Sequence, residues 1–205
     1  MAAPKRTRLR QQPDETRTLI LDTAEALLRE RPFRELSVDD VMRPTGYRRT
    51  VFYRHFAGLP QLVLEVLARV LPELVAAQQA FAEIAEQELS RERAEQLIRP
   101  VVEHWSRHGP LLRAMRDASI VDPDVEALLE GTQRRFQLLL GETIARRQAA
   151  GLAPGADPVE LAGALLGMNQ RYLMTSFGSG EPSVTVEVAA EVLVSVWVAV
   201  MSPRA

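Results

Sequence analysis

Apolar residues in this chain recur three and four positions apart, segment after segment, and that spacing admits few solutions other than packed helices. Ile20, Ala24, Leu27 and Leu28 follow it, and so do Leu62, Val66, Val70, Leu74 and Ala77. In a helix of 3.6 residues per turn, such positions fall on one face. Proline and glycine mark the boundaries. Breaks at Gly109-Pro110, Asp122-Pro123, 151–158 and 178–182 delimit helical segments near 90–108, 110–120, 123–149, 157–178 and 183–201. Pro72 should kink or split the segment 59–77, because its missing N–H removes one bond from the helical ladder. The last segment argues back. Val188, Val192, Val194, Val196, Val198 and Val200 are β-branched and even-spaced, as on a strand. Yet Glu187, Glu191, Ser195 and Ala199 sit four apart, and no hairpin turn offers a partner strand, so the segment reads as helix. The fold class is all-α.

The first sixty residues are punctuated more tightly. Residues 1–12 are basic and lack periodicity, which reads as an arm. The first helix ends at Arg31-Pro32, since proline disfavours helical geometry in the residue before it. Ser37 caps a short second helix, with Asp39 and Asp40 in the turn where the helix dipole favours negative charge. Pro44 and Gly46 stop it, and Arg48 to Phe56 form a third. Three short helices with a glycine before the third describe a helix-turn-helix, whose third helix turns its outer face to the DNA major groove. Val38, Val41, Val51, Phe52 and Phe56 supply its core, while Arg48, Arg49, Thr50, Tyr53, Arg54 and His55 project outward. Arginine there can pair with guanine O6 and N7, Thr50 can reach a base or phosphate, and Tyr53 can donate to phosphate.

Charge agrees with that placement. Residues 1–56 hold twelve Arg and Lys against eight Asp and Glu, although the whole chain has a net charge of −2. A positive end on an acidic protein points to a local polyanion contact. There are no cysteines, which excludes a disulfide framework, thiolate metal sites and cysteine nucleophiles. No apolar run follows the basic start, and the longest apolar stretch, Val192 to Met201, is about half a bilayer span. A cytoplasmic protein without membrane partners is expected.

The run from Thr18 to Val70 resembles the TetR family of bacterial regulators. The resemblance rests on Leu36-Ser37-Val38-Asp39-Asp40-Val41, on Gly46, and on the block Val51-Phe52-Tyr53-Arg54-His55-Phe56. Three departures stand out. Val51 replaces the family's usual Thr, Pro44 a small residue, and Leu59-Pro60 the Lys-Glu pair that often begins the linking helix. The resemblance implies an arm (1–12), a helix-turn-helix domain (13–57) and a six-helix body (58–205). It implies a ligand-responsive regulator, commonly a repressor, that binds double-stranded operator DNA. Its candidate DNA contacts here are Arg6, Arg8, Thr18, Ser37, Tyr47, Arg48, Arg49, Thr50, Tyr53, Arg54 and His55, with Lys5 and Arg10 adding charge to the arm.

The segment Ala164 to Arg171, with Ser176-Phe177 and residues 181–184, is similar to the EthR branch of that family. The likeness implies a body enclosing an elongated, mostly apolar ligand tunnel. Matching positions are Leu97, Val101, Trp105, Phe136, Leu140, Asn169, Leu173 and Trp197, with Asn169 as polar anchor for a small hydrophobic ligand. The same residues would equally suit a packed core. The resemblance also implies a homodimer through the last two helices, where Ala162, Gly163, Ala164 and Gly167 would face the valine-rich final helix and let helices approach.

Three other readings compete. Glu103, His104 and His108 offer two histidines four apart, as metal ligands often are, but no third ligand lies nearby in sequence and no HExxH is present, so no metal and no cofactor is assigned. No GxSxG, Walker lysine or paired metal carboxylates appear, and the chain reads as a non-enzyme; an all-helical ligand-binding protein with unrecognised activity is the alternative. A nucleoid-like binder without ligand would differ by binding any DNA uniformly.

Overall fold

The computed structural model describes residues 13–80 and 89–201. Among these residues there are nine α-helices and no strand. Helix α1 spans Pro13–Glu30, α2 Val38–Thr45 and α3 Arg49–Phe52, with a single 3₁₀ turn at Phe33–Glu35 between the first two. The body contains α4 (Leu59–Leu67), α5 (Leu71–Gln79), α6 (Arg91–Ser119), α7 (Pro123–Ala149), α8 (Pro158–Phe177) and α9 (Val186–Met201). Lys5, Arg6, Arg8 and Arg10 lie outside the described residues.

The cap on α2 is the one its sequence dictates. Ser37 Oγ accepts from the Asp40 amide at 3.2 Å, while Asp40 Oδ2 accepts from the Ser37 amide at 3.0 Å. Two helix-end donors are thereby satisfied reciprocally. Gly46, at φ 72°, closes the other end in the left-handed region where a side chain would be strained. Pro44 does not stop the helix as expected; it sits inside the last turn. The third helix is also shorter than the expected 48–56. Arg48 is its N-cap, and after Phe52 the regular helix gives way to turns that carry the chain to Phe56, whose amide donates to the Phe52 carbonyl.

Pro72 marks a real division. The segment 59–77 is two helices, separated at 68–70, with Pro72 in the first turn of α5, where a missing N–H is no loss. The expected break at Gly109-Pro110 is absent. Helix α6 runs 29 residues straight through Pro100 and Pro110. It is the central post of the body and packs against α4, α5, α7, α8 and α9. Burial on several sides offsets the one ladder bond each proline removes. Gly109 is needed there. A Cβ at that position would stand 2.1 Å from the Phe177 carbonyl oxygen, so α6 and α8 touch at backbone distance.

The valine-rich C-terminal segment is helical, with Glu187, Glu191, Ser195 and Ala199 all exposed along one side of α9. Its inner face packs mainly on α6, and α8 packs mainly on α7. The small-residue stripe therefore divides differently from expectation. Gly163 faces α7, where a Cβ would meet Gln137 Nε2 at 2.6 Å, and Ala162 is buried. Ala164 and Gly167 are exposed, with nothing within 4 Å of a Cβ at Gly167. Arg147 is fully buried and donates to the carbonyls of Leu152 and Met201, tying the end of α9 to the turn after α7.

Candidate DNA interface and ligand-binding body

The reader's third helix turns one face inward and leaves the other outside. Phe52 and Phe56 are buried beside Ile20, Ala24 and Val41, with their rings 5.4 Å apart, and Val51 is half-buried against the same cluster. Arg48, Arg49, Thr50, Tyr53 and Arg54 are exposed, while His55 and Tyr47 are half-buried. Arg49 donates to Tyr53 Oη at 2.9 Å and lies 3.9 Å from Asp39 Oδ2. Thr18 and Ser37 are exposed too, although the Ser37 hydroxyl already serves the α2 cap and donates to Asp40 Oδ2 at 2.5 Å. The Leu59-Pro60 start of α4 has its own solution. Gln61 Oε1 accepts from the Ala57 amide at 2.6 Å, ahead of a proline in the first turn.

Ion pairs fix the reader to the body. Arg17 of α1 pairs with Glu65 of α4, and Arg69 at the α4–α5 break reaches Asp22 at 2.6 Å and Glu25 at 3.6 Å. Arg29, near the end of α1, donates to the Arg107 carbonyl on α6 at 2.6 Å and to Glu25 at 2.9 Å.

Within the body the eight expected ligand positions lie on α6, α7, α8 and α9. Leu97, Val101 and Trp105 lie one turn apart on α6 and are buried, as are Leu140 on α7, Leu173 on α8 and Trp197 on α9. Phe136 and Asn169 are half-buried. Trp197 Nε1 donates to Asn169 Oδ1 at 3.1 Å, so the polar group expected to anchor a ligand already holds a tryptophan. Two cavities, of about 210 and 380 Å³, lie elsewhere, beside the 178–185 loop. Ser106, Phe177 and Pro182 line both, and none of the eight positions lines either.

The histidine pair has a neighbour that the sequence reading missed. Glu103 is exposed and apart from it, whereas Glu73 of α5 brings its carboxylate within 3.5 Å of His104 Nδ1 and 3.0 Å of Arg107 Nη1. These contacts hold the Glu73 carboxyl below its ordinary pKa. Burial lowers the pKa of His104, helped by His108 beside it, and burial with Arg29 and Arg107 lowers that of His108. A partner 31 residues away leaves no local signal.

The family model for the N-terminal domain of bacterial regulatory proteins of the TetR family matches residues 20–66. The model for the C-terminal domain of transcriptional regulator EthR matches residues 94–201. The chain belongs to the TetR family. It is 31% identical over 189 residues to the HTH-type transcriptional regulator EthR of Mycobacterium tuberculosis, covering 90% of this chain and 86% of that protein. It is 26% identical over 189 residues to the EthR of Mycolicibacterium smegmatis, covering 90% and 85%. Among solved structures, a regulator from Saccharomonospora viridis in complex with choline shares the fold at TM-score 0.67 and 21% identity, covering 93% of this chain and all of that one. PfmR of Thermus thermophilus does so at TM-score 0.67 and 18% identity, covering 89% and 98%. This TetR-family member is thus an EthR-like transcriptional regulator and not an enzyme. Among its described residues, no helix is long and apolar enough to cross a membrane.

Proposed function

We propose that this regulator is a homodimeric repressor that binds a near-palindromic operator and is released by a small hydrophobic molecule. The observation that carries the DNA part is the division of residues 48–56, with Phe52 and Phe56 buried and Arg48, Arg49, Thr50, Tyr53 and Arg54 exposed. Tyr47, His55, Thr18, Ser37 and the arm residues Arg6 and Arg8 complete the proposed contact set. Arg48 and Arg49 read base edges, and Tyr53 contacts phosphate. A twofold dimer sets two such readers in successive major grooves, about 34 Å apart.

The dimer is proposed to form through α8 and α9. Support comes from their outer faces, where Ala164 and Gly167 allow close approach and Val188 and Val192 are 49% and 41% exposed. Isolated apolar side chains are ordinary on a surface, but two valines one turn apart beside small residues suit a helix–helix contact.

The ligand site is proposed between α6, α7, α8 and α9, at Leu97, Val101, Trp105, Phe136, Leu140, Asn169, Leu173 and Trp197. Among the described residues, the Asn169 amide hydrogens have no protein acceptor, while its oxygen holds Trp197. A ligand that parts this pair finds an apolar wall and one amide. Selection from a random DNA pool tests the first half, with a palindrome as the expected product. Enrichment of no sequence would overturn it. Thermal stabilisation by long-chain apolar compounds, together with release of the selected operator, tests the second.

A further inference from the structure

Glu73, His104 and His108 stand where the reader meets the body, and their potential ligand atoms all lie within 4.8 Å of one another. The two imidazoles are one helical turn apart on α6, with ring centres 4.8 Å apart and planes inclined at 44°. Glu73 comes from the first turn of α5. His104 is 1% exposed, and neither of its ring nitrogens has a well-directed hydrogen-bond partner among the described residues. The Glu73 oxygen at 3.5 Å is its nearest polar neighbour but lies at the limit of hydrogen-bond reach. Buried polar groups in folded proteins are nearly always satisfied, so an imidazole of this kind calls for an explanation.

We propose that Glu73, His104 and His108 form a binding site for a divalent cation of the zinc, cobalt or nickel class, and that its occupancy alters operator binding. Two imidazole nitrogens and one carboxylate oxygen are the donor set that ions of this class prefer, with the fourth position open to water. Around a tetrahedral ion with bonds of ~2.0–2.1 Å, ligand atoms sit roughly 3.4 Å apart. The widest separation in the cluster, up to 4.8 Å, therefore needs to contract by up to about 1.4 Å. Ligation requires neutral imidazole, and the burial that lowers the pKa of both histidines favours that form at neutral pH.

The surroundings explain how occupancy would be felt. Arg107 holds Glu73 at 3.0 Å and would have to yield part of that carboxylate to the ion. Arg29 places Nη2 3.4 Å from His108 Nδ1 while donating to the Arg107 carbonyl. An ion here adds positive charge beside the arginine that ties α1 to α6, and favours whichever reader placement relieves it. This regulatory half rests on the DNA-binding reading above; cation binding does not.

The test uses the full chain, stripped with chelator and titrated with Co²⁺. The expected result is one equivalent bound per chain, with visible absorption of cobalt in a nitrogen–oxygen site, bleached by Zn²⁺. His108→Asn and Glu73→Gln should each weaken binding more than ~10-fold, while Glu103→Gln should leave it unchanged. Melting curves for each variant check that it is folded. Absence of binding at micromolar Co²⁺, or binding that neither variant weakens, overturns the site. The second arm measures affinity for the selected operator with and without one equivalent of Zn²⁺. A change of ~5–150-fold is expected. Tight cobalt binding with operator affinity changed less than twofold overturns the regulatory half alone. Failure to bind any selected DNA in either state would fall on the DNA reading and leave the cobalt result standing.

Discussion

Arg49 donates from Nη2 to Tyr53 Oη across 2.9 Å, with its guanidinium carbon 5.6 Å from the centre of the same ring. The two residues are one turn apart, and the pair fixes a long side chain before DNA arrives. Holding it in advance lowers the ordering cost of binding. Tyr53→Phe keeps the ring and loses the hydroxyl, so operator affinity should fall by the net value of a hydrogen bond, ~0.5–1.5 kcal/mol, to a similar extent on all sequences. Arg49→Ala should cost ~1–3 kcal/mol and relax preference at one operator position. Anisotropy titrations against single-base operator variants separate the two. Undiminished discrimination by Arg49→Ala would remove it from the base-reading set.

The pair Asn169–Trp197 makes a prediction about stability. Trp197 is 1% exposed, and its indole N–H donates to the Asn169 carbonyl oxygen. Asn169→Leu should cost ~0.5–1.5 kcal/mol by removing that hydrogen bond. For a chain of this size each kcal/mol corresponds to a fall of ~2–4 °C in Tm. Asn169→Asp keeps an acceptor and should retain most of the stability. Thermal unfolding followed by tryptophan fluorescence reads both variants, and equal losses would show that the hydrogen bond is not the cause.

Two glycines on the body should respond in opposite directions. Gly109→Ala places a methyl group 2.1 Å from the Phe177 carbonyl oxygen and 2.6 Å from its carbon, so backbone must move apart. A loss of several kcal/mol, or no folded protein, is expected; overpacking a tight site costs ~1–3 kcal/mol even where side chains alone must yield. Gly167→Ala meets nothing within 4 Å in the single chain. Its helix propensity should stabilise the isolated fold by ~0.5–1 kcal/mol. If α8 lies in a dimer interface, the same change should weaken association, which sedimentation at several concentrations measures.

Stability should fall as the solution becomes mildly acidic. His104 and His108 have pKa values below 6.5 in the folded protein, so the unfolded chain binds more protons in the window just below that value. Their contribution is fully present above the unfolded pKa and is lost as pH falls toward and through the folded values. Glu73 and Asp40, whose carboxyl pKa values are also lowered, add a second loss only at lower pH, through the carboxylate range. Urea unfolding between about pH 7.5 and 5 should show the first loss in the parent and a smaller one in His108→Gln. Identical slopes would contradict the assignment.

The reader was legible because its signals are local. Ser37 and Asp40 are three residues apart, Gly46 follows the helix it ends, and Phe52 and Phe56 lie one turn from each other. The body's six helices were anticipated in number but only partly in make-up. The 59–77 segment splits near Pro72 as expected, whereas the expected pair around Gly109-Pro110 is one helix. A proline's missing N–H is a local signal, but the packing of α6 against six other helices is not, and here the packing prevails. The contacts that define the sites were hidden for the same reason. Glu73 meets His104, and Asn169 meets Trp197, only after α5, α6, α8 and α9 have been brought together.

The break at 68–70 separates the ion pairs as well as the helices. Glu65 and Arg69, before and within it, bind Arg17, Asp22 and Glu25 of α1; Glu73, just beyond it, binds Arg107 of α6. The connection is thus an articulation between two rods, not a lever. The first rod is tied to α1 by ion pairs and packs on α6 as well, the second packs on α6, and Arg29 is a separate strut from α1 to α6. In the proposed dimer, a movement of α6 would reach each recognition helix through its direct packing on α1 and α4, with the three-residue break leaving α5 to follow the body separately.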